Sequence, residues 1–289
     1  MFLQQAINGL TLGGVYALVA VGYTLVYGVM GLINFAHGSI YTWGAFFAFT
    51  LMVVFKLNFG LAFVLAMGAT ALLGILVERV AYWPLRKSPL VSQLVSVLAV
   101  SMIMDNLAML IWGSVPRPFP SVFESVWNIG GVRLSLLQGL IMGLAVTIMA
   151  LLYVLIYKTK IGTAMRACSL DSEAGRLMGV NVDRVRLFAF ALSSALAASA
   201  GALIGVYYRA VVFNMGYGVV IKAFVVAILG GVGNVAGAMV GGLLMGLIES
   251  FGAAYIASSW KDAFVYIVLV LVLLFKPNGL FGKYEQEKI

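Results

Sequence analysis

Charge is what this sequence has least of. Asp, Glu, Lys and Arg make up 10% of its 289 residues, whereas soluble globular domains carry about a quarter, so a soluble fold is excluded as the main architecture. Histidine and cysteine occur once each, as His37 and Cys168. A single cysteine allows no disulfide within the chain. With one His and one Cys there is no metal-ligand spacing and no short-range His–carboxylate pair, which argues against a metalloenzyme or an intramembrane hydrolase. No G-x-x-x-x-G-K-S/T occurs. The nearest approach, KPNGLFGKY, lacks the first glycine and has Tyr284 after the lysine, so ATP chemistry would have to come from another chain. The opening MFLQQAINGLT has no charged n-region and no cleavage site, and a removable signal peptide is not expected.

What is present is hydrocarbon. Hydrophobic residues make up 63% of the chain, in continuous runs long enough to cross roughly 30 Å of bilayer as helices. Backbone polar groups must be satisfied internally in lipid, and the runs do not alternate as barrel strands would. The sequence therefore predicts an all-α, polytopic transmembrane bundle of eight to ten spans, some short or broken, forming one domain over residues 1–289. Apolar helices are expected at about 5–30, 39–56, 61–77, 90–112, 134–157, 187–208, 219–231, 235–257 and 263–275, the seventh too short to span comfortably. The proline-containing segment 113–133 reads as an external loop.

The net charge of +8 could suggest nucleic acid, but the placement of the charges decides otherwise. Basic residues cluster in three short polar segments: Arg79, Arg86 and Lys87; Lys158, Lys160, Arg166, Arg176, Arg184 and Arg186; and Lys276, Lys283 and Lys288. The positive-inside rule reads all three as cytoplasmic. Three helices before the first basic loop would put the N-terminus outside.

Glycine is abundant, at 33 residues, and recurs at four-residue steps: Gly9–Gly13, Gly139–Gly143, Gly201–Gly205, Gly233–Gly237–Gly241 and Gly242–Gly246. Small residues let helix backbones approach closely where lipid supplies little drive for association. The turn at Gly230, Gly231 and Gly233 follows a short apolar run and reads as a broken-helix element. A second polar interruption, GLINFAHG, places Asn34, Phe35, His37 and Gly38 between two long apolar runs. On chain physics Asn34 caps the second helix, with its side-chain oxygen accepting near His37, at or near the cytoplasmic end of the first helix pair.

The longest polar stretch, 158–186, contains a short amphipathic helix. Asp171 or Ser172 can cap its start and Glu173 suits its first turn. Ala174, Leu177 and Met178 form a small apolar face, and Gly179 suits the C-terminal cap. Val180, Asn181 and Val182 then lead through basic residues into the next membrane helix. Exposed on a loop, this helix wants a partner.

The stretch DSEAGRLMG resembles the EAA loop of ABC-importer permeases. GLINFAHG, MGVNVDRVRLFAFALSSALAASAG, AILGGVGNVAGAMVGG and the ending KPNGLFG resemble the branched-chain amino acid permeases of that class, so the likeness runs from about residue 8 to residue 282. The spacing from Ala174 to Gly179 holds, while the flanking residues depart from the EAA pattern. The resemblance implies a permease subunit working by alternating access. It implies a second, related permease subunit, two cytoplasmic ATP-binding subunits that carry ATP and Mg, and a periplasmic or extracellular substrate-binding protein. This chain itself would bind no cofactor and would sit in the bacterial inner membrane. It further implies that the 158–186 loop couples to the ATPases through Asp171, Ser172, Glu173, Ala174, Leu177, Met178, Gly179 and Asn181, and that Asn34, Phe35, His37 and Gly38 lie beside the translocation path. Cargo other than branched-chain amino acids, such as urea or an amide, and an ATP-independent transporter or channel remain the alternatives.

Ionisable groups at membrane depth are costly and mark functional candidates. Asp105, beside Asn106 midway along the fourth helix, either bonds a neighbouring helix or lines a cavity. Glu249 is expected to be solvated or paired near the outer surface, and Lys222 to reach the interface along its own stem.

Overall fold

The computed structural model describes residues 1–123, 125–129 and 132–282; Lys283 and Lys288 of the third basic segment lie outside the described residues. The apolar runs fold as helices α1 (Phe2–Met30), α2 (His37–Val53), α3 (Phe59–Val77), α4 (Leu90–Trp112) and α5 (Leu136–Lys158). A second half follows: α6 (Lys160–Leu170), α7 (Ser172–Leu177), α8 (Val182–Tyr208), α9 (Met215–Gly230), α10 (Val235–Tyr255) and α11 (Lys261–Phe275). One π-helical turn, Glu78–Tyr82, extends α3. Among the described residues seven helices are long and apolar enough to cross a membrane: α1, α3 with its π turn, α4, α5, α8, α10, and α11 with the short 3₁₀ turn before it. The helices α2 and α9, at 17 and 16 residues, are shorter.

The segment expected as an external loop carries short strands instead: β1 (Arg117–Pro118), the hairpin strands β2 (Val126–Ile129) and β3 (Val132–Ser135). β1 pairs antiparallel with β4 (Ala210–Val211), just beyond α8. These pairings satisfy backbone groups that have no helix to join, and Phe119, beside β1, is buried against Phe49.

The basic segments gather at one end of the bundle. Arg86, from the α3–α4 loop, meets Asp183 in the first turn of α8, and the amides of Leu280 and Phe281 donate to Leu229 and Gly230 at the end of α9. At the opposite end the Gln4 side chain near the chain start bonds the backbone of Arg133 in both directions, at 2.9 and 3.0 Å.

Helices α1 and α8 form the interior. Small residues set their contacts, because close backbone approach maximises dispersion where the hydrophobic effect is weak. The steps Gly9–Gly13 of α1 and Gly242–Gly246 of α10 pack on each other in antiparallel helices. A Cβ at Gly246 would overlap the backbone at Gly9 and Gly13, and one at Gly242 would overlap Ala17. Gly44 of α2 lies on Ala198 of α8, and Gly201 lies on Tyr41. Gly74 brings α3 against Ser194 in the same way. By contrast, a Cβ at Gly139 or Gly143 of α5 would meet nothing within 4 Å. Those two glycines therefore face outward rather than into the bundle.

Candidate functional site

Most of the residues singled out in the sequence lie at two places: the start of α2, and the α6–α7 loop. At the first, Asn34 Oδ1 accepts the Ala36 amide at 3.1 Å and the Asn34 carbonyl accepts the His37 amide at 3.2 Å. Both are first-turn donors with no partner inside the helix. The cap residue itself is Ala36, not Asn34, so the asparagine acts from two residues further back by closing a turn over the helix start.

His37 is fully buried. Its Nε2 lies 3.2 Å from the Val19 carbonyl of α1, and its Nδ1 lies 3.3 Å from the Ser193 hydroxyl of α8. A carbonyl only accepts, so Nε2 carries a hydrogen, and in the neutral ring the Ser193 hydroxyl donates to Nδ1. The ring also packs over Gly22 and edge-on to Tyr23. One side chain thus ties α1, α2 and α8 together at the centre of the bundle.

The depth of this junction differs from the sequence expectation. Val19 and Gly22 lie 11 and 8 residues before the end of α1 at Met30, which places the start of α2 roughly 12–17 Å back along α1. Residues 31–36 therefore return into the bundle as irregular backbone before α2 begins. Non-helical backbone at such depth is tolerated only where protein surrounds it or a cavity meets it. Asn34 and Gly38 are buried there, while Phe35 is exposed.

A second short helix starts at the same place. Gly216, in the first turn of α9, packs on Gly38, and its amide donates to Thr42 Oγ1 at 3.0 Å. A Cβ on either glycine would meet the other's carbonyl. Two short helices, α2 and α9, thus begin side by side within the bundle. Sequence reasoning gave broken-helix elements at Asn34, Phe35, His37 and Gly38 and also at Gly230, Gly231 and Gly233. Gly230, Gly231 and Gly233 form the tight turn between α9 and α10 at the basic end, with Gly231 and Gly233 at φ +98° and +83° and Asn234 capping α10. The chain end folds over this turn, where Asn234 Nδ2 donates to the Phe281 carbonyl at 2.9 Å. The irregular backbone within the bundle lies at the other end of α9, beside Gly38. Neither Val19, Thr42, Ser193 nor Gly216 was singled out in the sequence; the Ser193–Ser194 pair inside an apolar run was the one available signal.

Asp105 and Asn106 stand apart from this junction. Asn106 is exposed and donates to its own helix at Met102 O, 2.7 Å away. Asp105 is half-buried on α4, which packs on α2 through a Ser39–Ser101 hydroxyl pair at 2.8 Å and Trp43 Nε1 donating to Met104 O at 2.9 Å.

The α6–α7 loop is built from caps. Asp171 Oδ1 accepts the amides of Glu173 and Ala174 at 2.8 and 3.0 Å, starting α7. Gly179 adopts φ +84°, which ends it. Asn181 Oδ1 accepts the Arg184 amide at 3.0 Å and starts α8, so Asn181 is a cap rather than part of the loop's outer face. Ala174, Leu177 and Met178 all point outward, and Leu177 and Met178 are 89% and 85% exposed. Gly175 instead faces Cys168 on α6. Burial pushes the Cys168 thiol up, and the nearby Arg186 and Arg176 pull it back in part. Arg176 of α7 lies 3.9 Å from Asp183, whose two carboxylate oxygens each accept from Arg86 Nη1 at 3.3 Å.

A family model described as "Branched-chain amino acid transport system / permease component" matches residues 5–273. The chain is 37% identical to the high-affinity branched-chain amino acid transport system permease protein LivH of Escherichia coli K12 and 38% identical to BraD of Pseudomonas aeruginosa. Each alignment covers 100% of this chain and 98% of the relative. Among solved structures, PsaBC of Streptococcus pneumoniae, in complex with a Fab, shares the fold at a TM-score of 0.50 and 14% identity, over 97% of this chain and 94% of that one. With its family pattern matched along nearly the whole length and its spanning helices in place, this multi-pass membrane protein belongs to the branched-chain amino acid transport permease family.

Proposed function

We propose that this chain is the permease subunit of an ATP-driven importer of branched-chain amino acids in the bacterial inner membrane. Its partners are a second, related permease, two cytoplasmic ATPases that hold ATP and Mg, and an external substrate-binding protein. The observation that carries this reading is the exposed α7 knob, Ala174, Leu177 and Met178, joined by a three-residue link to α8, a central helix of the bundle.

An apolar tip that projects from the basic end is costly in water and is relieved by docking into a partner cleft. Motion of the docked tip passes into α8. Helix α8 bonds His37 through Ser193, and His37 begins α2, whose Gly38 and Thr42 meet Gly216 at the start of α9. Discrete repacking of these short helices against α1 is the step that opens the path alternately to either side. The chain does no covalent chemistry itself.

The test is reconstitution with the genetically linked ATPases, sister permease and binding protein. Uptake of labelled leucine that requires ATP supports the reading. Full transport by this chain without an ATPase, or import of urea or an amide in preference to leucine, overturns it.

A further inference from the structure

Lys222 of α9 is enclosed by charge. Its ammonium lies 2.7 Å from Glu249 Oε1 of α10, 2.9 Å from Asp262 Oδ1 in the first turn of α11, and 3.3 Å from the Tyr16 hydroxyl of α1. It also sits 5.5 Å from the Tyr16 ring centre. Four helices meet at this one group, level with the middle of α1. Lys222 therefore does not reach the interface alone along its own stem; it is held between two carboxylates.

Lys222 is shared between two carboxylates, and Lys261 stands beside Asp262 as a second cation. What this cluster leaves unmet is one carboxylate oxygen. Glu249 is 5% exposed, and its Oε2 has no hydrogen-bond partner among the described residues. A buried carboxylate oxygen left bare carries a desolvation cost that a cationic donor would remove. Exposure falls along the cluster: the side chain of Asp262 is 61% exposed, that of Lys222 14% and that of Glu249 7%. A cation approaching past the start of α11 meets Asp262 first and Glu249 last.

We propose that this cluster receives the α-ammonium group of the amino-acid cargo. The inference rests on the amino-acid reading of the chain's function. A primary ammonium supplies donors for the exposed Asp262 carboxylate and for the bare Glu249 oxygen. Lys222 keeps the two carboxylates from repelling each other while the site is empty. It also ties the site to α9, so that cargo binding competes for the same oxygens that hold this short helix in place. The cluster thereby selects for an ammonium group, whatever the side chain behind it.

The experiment uses the purified transporter assembled with its ATPases and sister permease, without the binding protein, and titration calorimetry with three probes. L-Leucine and isoamylamine, which keeps the ammonium and drops the carboxylate, should bind; 4-methylpentanoate, which lacks the ammonium, should not. Asp262→Asn, on an exposed first turn, should weaken isoamylamine binding about tenfold at an unchanged melting temperature, and Glu249→Gln should weaken it at least as much. Isoamylamine binding that is unchanged in Asp262→Asn, or 4-methylpentanoate binding as well as leucine, overturns the proposal. Parallel leucine uptake by the wild-type complex with its binding protein separates the two failures. If that uptake is present and the variants bind normally, only the ammonium site is wrong. If the uptake itself is absent, the amino-acid reading falls.

Discussion

Arg86 crosses from the α3–α4 loop to place one guanidinium nitrogen 3.3 Å from both carboxylate oxygens of Asp183 in the first turn of α8. Asp183 lies between Arg86 and Arg176 of α7, so the exposed helix, the central helix and the first basic loop share one carboxylate. Exposed pairs of this kind contribute only about 0.2–1 kcal/mol to stability. Asp183→Ala should therefore leave the melting temperature nearly unchanged. The number of leucines imported per ATP hydrolysed should fall severalfold, because α7 loses its tie to α3 and α4. The exchange of Arg86→Asp with Asp183→Arg should recover most of it. Proteoliposome uptake and ATPase rates measured together check this.

Changing the outer face of α7 should separate assembly from insertion. Leu177→Asp or Met178→Asp removes apolar surface that is already in water, so folding and membrane insertion should proceed normally. Co-purification with the ATPases should drop at least tenfold. Gly179→Val should act similarly, because φ +84° is a conformation that β-branched residues avoid. Pull-down of the ATPases from detergent extracts reads both.

His37 cross-links α1, α2 and α8. His37→Ala leaves a cavity and two unmet partners, the Val19 carbonyl and the Ser193 hydroxyl, with each buried unmet group costing about 1–3 kcal/mol. A clearly lowered melting temperature is expected. The ammonium-probe affinity of the surviving folded fraction should stay within twofold of wild type, since the ring has no exposed surface.

Two glycine steps with the same spacing should respond oppositely to alanine. Gly246→Ala forces α1 and α10 apart where a Cβ would overlap Gly9 and Gly13, a destabilisation of about 1–3 kcal/mol. Gly143→Ala meets nothing within 4 Å and should be neutral or slightly stabilising through helix propensity. Thermal melts of the purified chain in detergent distinguish the two.

Cys168 should be a slow thiol. Its pKa is raised by burial, so at any given pH the thiolate fraction is below that of a free cysteine, and it grows only as pH passes the ordinary thiol range. Maleimide labelling of the folded chain at pH 7 should lag that of the SDS-denatured chain by at least tenfold. Raising the pH to 9 should narrow the gap.

Much of this fold is written locally. The helix at Leu90–Trp112 has the bounds that its apolar run predicts, and the caps at Asp171 and Gly179 stand where short-range chemistry puts them. Caps and hydrophobic runs are properties of a few neighbouring residues, so one sequence suffices to see them. Family membership was legible for a related reason: GLINFAHG and the Ala174–Gly179 spacing are contiguous strings.

What the tertiary structure decided is which apolar faces meet protein and which face outward. Helices α1 and α4 are both strongly apolar, yet α1 is almost wholly buried and α4 mostly exposed. Lipid tails and packed side chains are equally apolar, so hydropathy cannot separate them. The same limit hid the pairing of Gly9–Gly13 with Gly242–Gly246, the depth of His37, and the joining of Lys222 to Tyr16 from 206 positions away. Each depends on how helices cross, and a crossing is settled by shape complementarity between distant segments, which no local pattern records.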